Sequence, residues 1–192
     1  MTAPLDYALP GPANWHAERA LSQAAGSALK TRPDYRALDA ALNRLAPLSA
    51  TLANGYFNHA PMVVEALCAM GQGDKALAWL DLEADSFLPA EAPATPLDPD
   101  QWRSLIGSQG RESDWRAYFA HELAARPWRD VLSLWVHRLA DGFSTAACHA
   151  LLQTAHIVRA LRSEETPARL SALANALAAW ADRYKPLSLI HI

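Results

Sequence analysis

Apolar residues return every three or four positions along most of this chain, the spacing of helices that bury one face. In 33–52, "PDYRALDAALNRLAPLSATL", Leu38, Leu42 and Leu45 fall at that interval, and Asp34 behind Pro33 is placed to cap a helix. The stretch 58–71, "NHAPMVVEALCAMG", predicts another, with Asn58 as cap, Pro61 in the first turn and Gly71 as terminator. Amphipathic segments follow at 73–87 and 98–107, separated by 88–100, "LPAEAPATPLDPD", whose four prolines mark a loop. Further helices are predicted at 111–125 with Ser113 or Asp114 as cap, at 127–142 opening on Pro127, at 144–163, and at 166–184 with Thr166 and Pro167 at its start. A first helix fits Trp15–Leu29, and the proline-bearing 1–14 predicts an extended arm. No β-branched alternation is long enough to predict a strand. The expected class is all-α, a multi-helix bundle of antiparallel helical hairpins with roughly eight or nine helices.

Composition narrows the classes of function. Half of the 192 residues are hydrophobic and the net charge is −3, with no basic block, so neither nucleic acid nor an anionic membrane is expected as a partner. No apolar run reaches the ~18 residues of a membrane span, and no leader pattern opens the chain. Cys68 and Cys148 lie in apolar helical segments and read as buried thiols, which points to a cytoplasmic protein.

The last six residues, "LSLIHI" (187–192), do not continue the preceding helix. They are what a reading frame yields when it runs through the transposon-end DNA used in sequencing libraries. The expectation is a non-native tail after Pro186, on a chain that is the N-terminal part of a longer protein. His191 is therefore not counted as a ligand.

Candidate chemistry rests on histidine. His16 reads as a surface residue. His121 is followed by Glu122, but Ala125 stands where the helical zinc motif needs its second histidine. His137 suits the negative end of its helix. His59 falls in the first turn of an apolar helix, where either a pocket-facing ring or a gap-filling one fits. His149 and His156 share a helix face, because seven positions at ~100° each return to within ~20° of the start, with ~10.5 Å of rise. Helical side chains lean toward the N-terminus, so His156 would lean toward a shared ion and His149 away from it. One of the two is then a ligand at most, and the other lies behind it or touches substrate. On pattern alone, two satisfied core histidines remain the simpler reading. The tryptophans read as packing anchors.

Three blocks together resemble the questin oxidase-like family: "NHAPMVVEALCAMG", "DWRAYFAHELAARPWRDVLSLWVHRLADG" and "AACHALLQTAHIVRALRSEETPARLSALANALAAWADRY". The likeness covers most of residues 30–186 and rests on the order and spacing of the blocks. It implies an α-helical oxidoreductase that cleaves aromatic or quinone substrates by Baeyer–Villiger-type or dioxygenase chemistry, with a histidine-held non-haem iron and, in some members, NADPH. His59 matches the histidine of the family's Asn-His segment and His149 that of its His-Gly-Leu-Ile segment, which implies both as metal ligands. His156 matches a Thr-Ala-His pattern, and His156 and Glu65 are carried as outer partners of the metal or contacts to substrate, while a solvated place on the helix face fits Glu65 equally well. Ala150 replaces the usual glycine and Gln153 the usual basic residue. Residues 15–186 are then an incomplete domain of this family, whose remaining ligands are expected from a missing C-terminal half, so that the fragment alone is expected to be inactive; His59 and His149 are expected to meet in a dry hollow between helices. The rival expectation is a non-catalytic α-helical scaffold or protein-interaction domain.

Overall fold

The structure, a computed structural model, describes residues 32–187. The chain divides into two units at 32/33, and the unit from Pro33 onward is the one described here. The expected arm at 1–14, the helix at Trp15–Leu29, His16 and His191 lie outside the described residues. The described fold is helical: α1 (Leu38–Leu45), α2 (Ala60–Ala69), α3 (Ala76–Leu82), α4 (Trp102–Leu105), α5 (Glu112–Ala125), α6 (Trp128–Leu139), α7 (His149–Ser163) and α8 (Pro167–Asp182). Among the described residues no helix is long and apolar enough to cross a membrane.

At the centre stands α8. Its sequence is apolar over most of its circumference, and a helix of that kind is stable only where neighbours cover most of it. Leu173, Leu177, Ala178, Ala179, Trp180 and Ala181 are all buried, and its many alanines let α5 and α7 approach closely. The cap expected at Thr166 forms, its hydroxyl accepting the Arg169 amide at 3.3 Å, with Pro167 in the first turn. The three residues between α7 and α8 are too few to permit anything but a hairpin. α5 also lies antiparallel to α8, since the Arg111 amide at its start donates to Asp182 Oδ1 at 2.7 Å at the far end of α8.

Two expected helices are shorter than their patterns. The Leu38–Leu45 spacing continues no further than Ala46, and Leu48–Leu52 instead forms β1, paired antiparallel with β2 (Phe87–Pro89). Pro47 breaks the helix, and "LSATL" alternates apolar with polar, so the strand was present as a short period of two inside a longer period of 3.6. β2 likewise takes the end of the expected 73–87 helix, of which only Ala76–Leu82 is α-helical. The cap expected at Asp34 is not made; its carboxylate accepts from the Arg36 amide (3.1 Å) and guanidinium instead. Nor do Ser113 or Asp114 cap α5. Asp114 is buried and turned outward from the helix start, accepting from the Ala94 and Thr95 amides (2.7 and 3.0 Å) and from Arg111 Nε, so that it holds the proline-bearing loop.

The third correction concerns 144–163. α7 does not begin at Ser144: Ala146, Ala147 and Cys148 have φ of +51°, +52° and +69°, a left-handed turn that ends where His149 begins. Both cysteines are free; Cys68 is buried, as expected, whereas Cys148 is only half-buried.

Candidate metal centre

His59 is positioned by a chain of backbone constraints. After β1 the chain reverses through Gly55, whose φ of +83° suits glycine, and returns as a bridge between Phe57 and Thr51. Asn58 is buried and fully engaged: its amide donates to Ala50 O (2.8 Å), Nδ2 donates to Ser49 O (3.1 Å), and Oδ1 accepts from Ala60 N (2.9 Å). The asparagine thus ties the strand to the start of α2, as its place in the sequence predicts. At the other end, Gly71 N donates to Cys68 O and Gln72 N to Leu67 O, closing α2 with the expected glycine terminator. His59 is the residue between this anchor and the first turn of α2.

His149 opens α7, and the two rings meet. Their centroids are 4.6 Å apart at 88°, with the Phe57 ring 5.6 Å from His149 and 6.4 Å from His59. Phe57 in turn lies under the Arg183 guanidinium at 5.7 Å, which donates to Thr51 Oγ1 and Glu112. His149 Nδ1 is 2.5 Å from Ala146 O. A carbonyl only accepts, so Nδ1 carries the proton and Nε2 keeps a lone pair. The left-handed turn aims that carbonyl back at the ring, and a non-glycine turn of this kind costs ~1–2 kcal/mol per residue. Among the described residues the His59 ring makes no hydrogen bond. The pair does not occupy a dry hollow: His59 is exposed and His149 half-buried, at the surface of the described fold.

His156 and Glu65 stand further along the same two helices. His59 meets His149, and six residues on Glu65 meets His156, so α2 and α7 run side by side in the same direction. Glu65, which could have been a solvated residue, is fully buried. Its carboxylate accepts from Tyr35 Oη (2.8 Å), His156 Nδ1 (2.7 Å), Arg159 Nε (2.8 Å) and Arg159 Nη2. Burial pushes this carboxyl up, but the bonds from Arg159, His156 and Tyr35 outweigh it and hold it below its ordinary value. The Tyr35 phenol is pushed up to about 12 by burial and by the Glu65 carboxylate, so it remains a donor. Neither His156 nor Glu65 hydrogen-bonds to His59 or His149 among the described residues. Arg159 was readable as the residue one turn after His156 on the same face; Tyr35, far away in sequence, had no such signal.

Of the two departures from the questin oxidase-like pattern, Ala150 is fully buried, and Gln153 is buried and lines one cavity with Arg116. His121 and His137 are exposed on α5 and α6, and His137 lies in the last turn as its dipole reading expects. Among the described residues no group of three or more histidine, cysteine or carboxylate side chains stands close enough to hold a metal ion. No protein-family model, no curated protein and no solved structure matches the chain.

Proposed function

We propose that this chain is the N-terminal portion of a questin oxidase-like oxidoreductase, in which His59 and His149 supply two ligands to a non-haem iron for oxidative cleavage of an aromatic or quinone substrate. The observation that carries the reading is the convergence of two imidazoles from distant parts of the chain, one with its free nitrogen fixed. Two rings bound in adjacent positions of one ion, with metal–nitrogen bonds of about 2 Å, would have centroids ~4.5 Å apart. The observed 4.6 Å meets that requirement. An edge-to-face ring contact has the same spacing, and the Ala146 bond favours the ligand reading because it fixes Nδ1 as donor and leaves Nε2 available, the usual outer partner of a metal-bound histidine.

Electrostatics sets a modest opposing effect. The N-terminal ends of α2 and α7 both point at the pair, and their partial positive charge works against a cation by ~0.3–1 kcal/mol each. Metal–imidazole bonding in a complete site is an order of magnitude larger, so the dipoles tune the site without deciding it. The donor set fits ferrous iron in kind, neutral imidazoles with positions left open, but not in number. Further ligands are assigned to chain outside the described residues. Iron, when bound, would supply the binding and reduction of dioxygen. The chain's own contribution is to hold the two rings, through Asn58 and Ala146, and to shield one flank with Phe57. NADPH has no assigned site in this reading.

The absence of a third ligand among the described residues and the exposure of His59 favour the rival, a non-catalytic helical scaffold. Anaerobic titration with ferrous iron of the full-length protein, with its further ligands in place, separates them. Iron binding should weaken at least about tenfold in both His59→Ala and His149→Ala and stay unchanged in His121→Ala, which removes an exposed histidine elsewhere. A wild-type chain that binds no iron, or binding insensitive to both substitutions, returns the protein to the scaffold reading.

A further inference from the structure

The Glu65–His156 contact carries a second, separate chemistry. The carboxylate is completely buried and bears bonds from two cationic or neutral donors besides the imidazole. At 2.7 Å, two facing lone pairs would repel, so an ionised Glu65 requires the proton on His156 Nδ1. The 3.3 Å approach of Arg159 Nη2 to the same nitrogen is then a close pass, since guanidinium cannot accept. In the neutral imidazole the lone pair is then on Nε2, and the side chain is 26% exposed. An imidazole with a carboxylate behind one nitrogen and an open lone pair on the other is the arrangement that makes a histidine a general base.

Its location gives that base a substrate. On α7 the residues His149, Leu152 and His156 fall on one face, and Leu152 is 48% exposed between the two histidines. The rise from His149 to His156 is ~10.5 Å, about the length of a linear three-ring aromatic. We propose that His156, oriented by Glu65, is the proton acceptor for a phenolic hydroxyl at one end of a planar hydroxylated aromatic that lies across Leu152, with its other end toward His59 and His149. In the step the substrate O–H bond breaks, its electron pair stays on oxygen, and the proton forms a bond to Nε2. The imidazolium is balanced by the Glu65 carboxylate. Tyr35, Glu65 and Arg159 are positioning residues: they act through the imidazole. Ionising the ring raises its electron density, which prepares it for oxidation at the opposite end.

This assignment rests on the proposed substrate class but not on iron, so the experiment uses the metal-free full chain. The probe is 2-hydroxyanthraquinone, whose visible band moves to longer wavelength when its phenol ionises. At a pH where the free probe is neutral, wild-type protein should bind it and produce the ionised band. His156→Gln should retain binding within about threefold and lose the ionised band. Glu65→Gln should reduce the band, and Leu152→Glu should weaken binding about tenfold or more. Loss of the Nδ1-protonated pattern in nitrogen-15 spectra of Glu65→Gln would show that the carboxylate sets the tautomer. An ionised band that survives His156→Gln overturns the assignment, as does a wild-type chain that does not bind the probe at all. Because iron titration reads His59 and His149 while this band reads His156, either reading can fail while the other stands.

Discussion

Two regions of the molecule treat polar atoms in opposite ways. Around α4, α5 and α6, aromatic rings stack on one another: Trp135 is fully buried and its ring centroid lies 4.8–5.9 Å from those of Phe119, Trp115, Tyr118 and Trp102. There the indole nitrogens of Trp115 and Trp135 are buried with no hydrogen-bond partner among the described residues. Between α2 and α7, by contrast, the fully buried Glu65 carboxylate has four donor contacts. The difference is one of magnitude. Burying an indole removes ~200 Å² from water, worth about 5 kcal/mol, which exceeds the ~1–3 kcal/mol of an unpaired N–H. An unpaired carboxylate has no such offset, because its desolvation alone costs several kcal/mol. The aromatic region can leave polar atoms idle because it exists to hold the fold. The α2–α7 face spends its polar atoms on orienting imidazoles.

The sharpest way to break this contrast is Trp135→Ala. It should cost about 3–5 kcal/mol of stability, read by urea unfolding, while the folded fraction keeps the iron response of the wild type. If iron binding at His59 and His149 falls in step with the lost packing, the two regions are not separate in role.

Next in size is Glu65→Gln, which leaves Arg159 and His156 facing a neutral amide. Because Arg159 is half in solvent, the loss should be about 2 kcal/mol and not the 3–5 kcal/mol of a fully enclosed pair. Its pH dependence has a definite sign. A carboxyl held below its ordinary 4.5 contributes stability that is present above that value and is lost as pH falls through the lower, folded one. The difference in stability between wild type and Glu65→Gln should therefore shrink on acidification below about 4.5. A difference that stays constant down to complete unfolding would remove Glu65 from the list of charged groups.

The smallest effect has the most informative sign. Ala147 is exposed at φ +52°. Ala147→Gly should raise stability by about 0.5–1 kcal/mol by relieving the left-handed turn. Were this stretch the continuous helix its pattern suggests, the same change would cost about 1 kcal/mol. Thermal unfolding of the single variant decides between the two.

That turn marks the limit of what the sequence could disclose. α2 and α8 were legible to their ends because each carries its own punctuation: Asn58 and Gly71 for one, Thr166 and Pro167 for the other. β1 was hidden because Leu48 and Leu52 also satisfy a helical interval, and only Pro47 spoke against it. "STAACHALL" hid its turn completely, since it has no glycine or asparagine to announce φ above zero and alanine is the strongest helix former. Consequently the aim of His149 was unreadable, and His59 and His149 could be paired beforehand only through family resemblance. For Glu65 the sequence left a choice between a solvated residue and a partner of the site. Its burial follows from Tyr35 and Arg159, which no local pattern joins to it.

Asp114 holds the stretch around Ala94 and Thr95 through main-chain amides alone. The side chains there are consequently free to vary among related sequences without loosening the loop, with a single exception. Proline has no amide hydrogen, so in a segment already rich in it, one more at 94 or 95 would remove one of the two amide hydrogen bonds that hold the loop.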